Sequence, residues 1–136
     1  MVNAMKQYEA KKQSSLKVSK DGYSFDPSEN RWHLNKDTTI SFQEDVINIE
    51  PQTYHSFKKV LARYAQQYSA RHAFNMYQMF QRMLRDTECK VIDVQVIRNW
   101  RAMLDDDHEW YLGSLRGFLI SWYDFGYQGI SKEVVD

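Results

Sequence analysis

"PQTYHSFKKVLARYAQQYSARHAFNMYQMFQRMLR", residues 51–85, carries six bases and no acid, in a 136-residue chain with 18 residues of each sign. Its apolar residues recur every three or four positions. Tyr54, Phe57, Leu61, Tyr64, Ala65 and Tyr68 mark one helical face. After Ser69, a second face follows in Ala73, Met76, Tyr77, Phe80, Met83 and Leu84. Pro51 suits a first helical turn, where a missing N–H costs nothing, and Ser69 suits an N-cap. The spacing predicts helices over residues 51–68 and roughly 70–86.

Toward the C-terminus, "DTECKVID" reads as a loop. Asp93 then caps a third helix to about Leu104, built on Val96, Ile97, Trp100, Met103 and Leu104. The acidic turn Asp105–Asp107 favours the positive end of a fourth helix. That helix carries Tyr111, Leu112, Leu115, Phe118, Leu119, Trp122 and Phe125 and closes at Gly126 as a C-cap. Ser131 is placed to cap a fifth, short helix. Gly113 and Gly117 each cost an interior helix about 1 kcal/mol relative to alanine. The expected compensation is close approach of another backbone, a neighbouring helix before a DNA strand.

Toward the N-terminus, Tyr23/Phe25, Trp32/Leu34 and Ile40/Phe42 alternate with polar neighbours between turn-forming "DPSEN" and "NKD". They predict a small element of two or three strands, which must pack on the helices to be stable. Residues 1–20 are polar and Lys-rich, without periodicity, and read as a disordered basic tail. The predicted fold is mainly α: a four-helix core with a small N-terminal β-hairpin appendage. Its parts are a tail over 1–20, a β element over 21–50 packed on the core, a helical domain over 51–130, and the start of a linker or further helix over 131–136.

Composition narrows the function. Hydrophobic content of 43% and charged content of 26% belong to a globular chain with a real core. Cys89 is the single cysteine, which excludes a disulfide framework and a cysteine-based zinc site. No signal-peptide core and no membrane-spanning run is present, so a cytoplasmic location is expected. The net charge of zero hides alternating blocks, of which the acid-free 51–85 is the most pronounced. Such asymmetry points to a polyanionic partner.

Residues capable of chemistry are few. His55, His72, Asp86 and Asp105–Asp107 form no metal-ligand spacing, and an Asp-rich turn before a helix is ordinary capping. The glycines match neither a P-loop nor a dinucleotide fingerprint, and Ser69–His72 lacks an acid to complete a triad. Neither a catalytic residue nor a metal or cofactor site is expected. The basic helices say more. Arg71, Asn75, Gln78, Arg82 and Arg85 follow at steps of four and three along one face of the second helix. His55, Lys59, Arg63 and Gln66/Gln67 do so on the first. Arg and Lys neutralise phosphates, and Asn, Gln and Arg hydrogen-bond base edges. Both stripes are expected to converge on one groove-sized surface that binds double-stranded DNA.

"SARHAFNMYQMFQRML", "VIDVQVIRNWRAML" and "LGSLRGFLISWYDFGYQGI" together resemble the core-binding domain of tyrosine recombinases, the phage-integrase family. The resemblance covers about residues 51–130, and Arg116 matches its Leu-Arg position. His72 stands where the family often has threonine, and Trp110 where it often has arginine. The resemblance implies a SAM-like helical module that grips duplex DNA, working with a catalytic domain of the same parent chain that performs the strand cleavage. Copies of such modules can assemble as homo-oligomers on DNA. The implied contacts are Lys59, Arg63, Gln67, Arg71, His72, Asn75, Gln78, Arg82 and Arg116. By this reading the chain is a fragment or truncated product that grips DNA and cannot cut it. The competing reading is a helical protein-interaction or regulatory domain whose acid-free surface takes an acidic partner.

Overall fold

The computed structural model describes residues 16–136. Helices dominate, with two small antiparallel hairpins ahead of them. Helix α1 is Pro51–Gln67, α2 Ala70–Thr87, α3 Val94–Met103, α4 Trp110–Asp124 and α5 Lys132–Val135. Strand β1 (Lys17–Val18) pairs with β2 (Ser24–Phe25), and β3 (Arg31–His33) with β4 (Thr39–Ser41).

The helix boundaries follow the capping chemistry. The Ser69 hydroxyl accepts the His72 N–H at 3.1 Å, and the Asp93 carboxylate accepts the Val96 N–H at 2.9 Å. Each satisfies a donor that the first turn leaves unpaired. Gly126, at φ +78°, supplies the left-handed residue that ends α4. The acidic turn Asp105–Asp107 stands directly ahead of α4. Asp105 accepts the His108 N–H at 3.0 Å and caps a separate 3-10 turn, Asp106–His108, ahead of α4. Ser131 makes no side-chain cap on α5.

Helices α1, α2 and α4 meet in an aromatic stack. Phe57 lies on Phe80 with ring centres 4.3 Å apart, and Phe118 closes on both at 5.9 and 5.7 Å. Trp122 seals the Phe80 side at 5.6 Å. All four are fully buried, and burial of each phenyl ring contributes about 2–3 kcal/mol. Helix α3 is held through Trp100, which stacks on Tyr111 and donates its indole N–H to Asp86 at 3.1 Å. Met103, expected in the core, is 53% exposed because it ends α3 beyond the reach of α2. Tyr68, also expected inside, is 45% exposed at the corner where α1 stops.

The hairpins share this core. Phe25, Trp32, Leu34, Ile40 and Phe42 are buried, and the Phe42 ring meets Tyr54, Phe57 and Tyr77 edge-on. Lys58, one of the six bases of the acid-free stretch, is buried beneath the turn between β2 and β3. Its ammonium donates to the Glu29 carbonyl at 2.9 Å and the Asn30 side-chain oxygen at 3.1 Å. Residues 1–15 of the expected tail lie outside the described residues. Residues 16–20 correct that expectation, since Lys17–Val18 form β1, Ser19 donates to the Leu34 carbonyl at 2.6 Å, and the Lys20 N–H reaches the Ala65 carbonyl.

Candidate nucleic-acid interface

The outer face of α1 carries two joined hollows. One, of about 370 Å³, is lined by Lys59, Arg63, Gln66 and Gln67 with Lys17, Pro27 and Tyr127. The other, of about 550 Å³, shares Lys59 and Tyr127 and adds Gln52, His55 and Gln128. Among the described residues no acid lines either. The helical period accounts for the surface, because residues 52, 55, 59, 63 and 66 recur on one side while Tyr54, Phe57 and Leu61 turn inward.

Tyr127 sits between the hollows because the turn after α4 folds back on α1. The Trp122 indole N–H donates to the Gln128 carbonyl at 2.9 Å. Gly129, at φ +110°, lies so near Thr53 that a β-carbon there would stand 2.9 Å from the threonine methyl. Against this turn Arg63 is held twice. Its Nε donates to the Tyr127 hydroxyl at 2.9 Å, and its guanidinium lies over the Phe125 ring at 4.1 Å. The Lys59 ammonium lies 5.6 Å from the Tyr127 ring centre.

At the end of α1 the surface turns the corner onto α2. Exposed His72 stacks on Tyr64 with ring centres 5.9 Å apart and planes 13° from parallel, and exposed Arg71 precedes it. Burial holds the Tyr64 hydroxyl above the ordinary tyrosine pKa, so it stays protonated. Lys59, Arg63, Gln67, Arg71 and His72 thus lie exposed along α1 and around its corner onto α2.

The other expected contacts do not join it. Asn75 is half-buried on α2. Gln78, Arg82 and Arg85 line a separate hollow of about 290 Å³ with Gln43 and Tyr111. Arg82 also pairs with Asp86 at 3.4 Å, which leaves it less charge for a phosphate. Arg63 rests against the C-terminal end of the 15-residue α4 and Arg82 against Tyr111 in its first turn. At about 1.5 Å per residue those ends are about 20 Å apart, wider than a major groove of about 12 Å. The two stripes thus line separate hollows rather than a common one.

Arg116 is exposed elsewhere on α4, beside a groove of about 550 Å³ lined by Ile97, Arg101, Leu112, Leu115 and Leu119 with α5. The glycines next to it overturn another expectation. A β-carbon at Gly113 or Gly117 would meet nothing within 4 Å, so no helix of the described residues packs closely there.

Sequence reasoning missed Lys17, Phe125 and Tyr127. Lys17 was hidden by an aperiodic, Lys-rich neighbourhood. The Gly126 and Gly129 pair around Tyr127 was the available signal that the turn doubles back. Among the described residues no group of three or more His, Cys, Asp or Glu side chains is placed to hold a metal ion, and no helix is long and apolar enough to cross a membrane. No protein-family model, no curated protein and no solved structure matches the chain.

Proposed function

We propose that this chain is a duplex-DNA-binding module. The observation that carries the reading is the corner formed by Lys59, Arg63, Gln67, Arg71 and His72. All five are exposed, and among the described residues none belongs to an ion pair and no acid lines the clefts at Lys59, Arg63 and Gln67. Cationic and amide side chains on a firm helical frame suit the positioning of a phosphate backbone. The resemblance of residues 51–130 to the core-binding domain of tyrosine recombinases supplies the finer reading. The finer proposal is therefore a core-binding-type four-helix bundle acting in the cytoplasm. Strand cleavage belongs to a separate catalytic domain, and copies assemble on the DNA. Gly113 and Gly117, open beside Arg116, give a DNA strand room to approach α4.

One observation favours a second reading, a protein-interaction domain. The groove of Ile97, Leu112, Leu115 and Leu119 is apolar and edged by Arg101 and Arg116, with Asp136 as its one acid among the described residues, a surface that suits an apolar helix carrying acids opposite the arginines.

Fluorescence anisotropy on a labelled duplex separates the two. With about four phosphates neutralised by Lys17, Lys59, Arg63 and Arg71, the slope of log affinity on log salt should be about −3 to −4. Lys59→Glu with Arg71→Glu should abolish most binding while circular dichroism shows the helices intact. Reversing Lys6, Lys11 and Lys12 should weaken it only modestly, because screened, nonspecific attraction contributes little. A flat salt response, or loss only in the Lys6/Lys11/Lys12 variant, would transfer the function to the protein-interaction reading.

A further inference from the structure

The cleft beside Arg63 has the features of a built site rather than of a generally basic surface. An arginine offers five N–H donors in a planar fork. In Arg63 the Nε–H is donated to the Tyr127 hydroxyl at 2.9 Å, and the plane is set by Phe125 beneath it at 4.1 Å. Both terminal nitrogens are left without a partner among the described residues. No other exposed arginine there is held in this way. The Tyr127 hydroxyl accepts from Arg63 and keeps its own proton available to donate. Tyr127 is fixed in turn by the backbone, between Gly126 and Gly129 in left-handed conformations and with Gln128 tied to Trp122. Lys17 and Lys59 line the same cleft.

We propose that this cleft, between α1, the first hairpin and the turn after α4, is a phosphate seat in which Phe125 and Tyr127 hold the Arg63 guanidinium ready for one phosphodiester oxyanion. The two terminal nitrogens bind two phosphate oxygens as a fork, and Lys17 and Lys59 add charge without directional demand. Ordering the arginine beforehand removes rotamer freedom that binding would otherwise have to remove. Phe125 and Tyr127 are positioning residues, acting through Arg63. The choice of a backbone phosphodiester rests on the DNA reading; free inorganic phosphate shares the same chemistry.

Anisotropy on one labelled duplex, with arginine Nε–H signals followed by NMR, tests the seat. Arg63→Lys keeps the charge and loses the fork, and should bind about five- to tenfold more weakly. Arg63→Ala should in addition reduce the salt slope by about one. Tyr127→Phe keeps the ring and loses the hydroxyl. It should bind about threefold more weakly with the slope unchanged, and the resolved Arg63 Nε–H signal of the free protein should broaden. Inorganic phosphate, added at constant ionic strength, should shift that signal in the wild type. If Arg63→Lys and Tyr127→Phe bind like wild type while Lys59→Glu/Arg71→Glu does not, the seat is wrong and the DNA reading stands. If the wild type binds no duplex but phosphate shifts the signal, the seat stands for free phosphate and the DNA reading falls. Neither duplex binding nor a phosphate shift would end both.

Discussion

Lys58 and Lys59 are neighbours on α1, yet the turn of about 100° between successive helical residues gives them opposite fates. Lys59 lines the clefts, whereas Lys58 is 5% exposed and clamps the turn at Glu29 and Asn30, with its ammonium 4.8 Å from the centre of the Phe42 ring. Loss of solvation lowers its pKa, against the attraction of Glu44, Glu29 and Asp26. Between that lowered value and the ordinary lysine value of about 10.4, the unfolded chain holds a proton that the folded chain has released. Stability contributed by this group therefore rises with pH through that window. Urea unfolding of wild type and Lys58→Met from about pH 7 to about pH 10 should show the wild type gaining relative to the variant. Tyr54, Tyr64 and Tyr77, whose hydroxyls burial holds above the ordinary value, are common to both proteins and cancel. A difference independent of pH would mean that the ammonium is solvated. The burial of Lys58 was not legible in the sequence, because only the folded hairpin turn offers it partners. The caps Ser69 and Asp93 were legible, because each acts on its own first turn.

The elements divide in the same way, and their glycines test the division. Gly113 and Gly117 are interior to α4 with open space where a side chain would go. Alanine at either should stabilise the chain by about 0.5–1 kcal/mol, read as a shift in the urea midpoint with an unchanged slope. A loss of stability would reveal a packing partner at that face. Gly129 should behave oppositely. Its φ of +110° and its 2.9 Å approach to Thr53 leave no room for a β-carbon, so Gly129→Ala should cost about 2–3 kcal/mol. A neutral effect would show that the turn can leave α1 without strain. Apolar spacing placed helices α1 to α4, and Gly126 ended α4 as expected. The assignment of Met103 to the core failed because periodicity identifies a helix's apolar side without saying how far along it a neighbour extends.

In the whole molecule, the hairpins and helices form one hydrophobic core. Trp32 is fully buried and lies 4.6 Å from Phe42, whose ring touches α1 and α2. Trp32→Ala should cost about 3–5 kcal/mol, and near-UV circular dichroism, which reports aromatic packing of strands and helices together, should still fall with far-UV circular dichroism in a single transition. Two separate transitions would mean that the helices fold independently of the strands. The helices, most of their ends and the inward alternation of Phe25, Trp32, Leu34, Ile40 and Phe42 were written in the order of residues. Helical and strand periods, capping side chains and turn residues act over a few positions, so a linear reading recovers them. The pairing of Lys17–Val18 with Ser24–Phe25, the burial of Lys58, the open face at Gly113 and Gly117, and the meeting of Arg63 with Tyr127 across 64 positions of sequence were decided by tertiary packing. Each depends on which surfaces the aromatic core draws together, and burial of apolar area has no fixed direction along the chain.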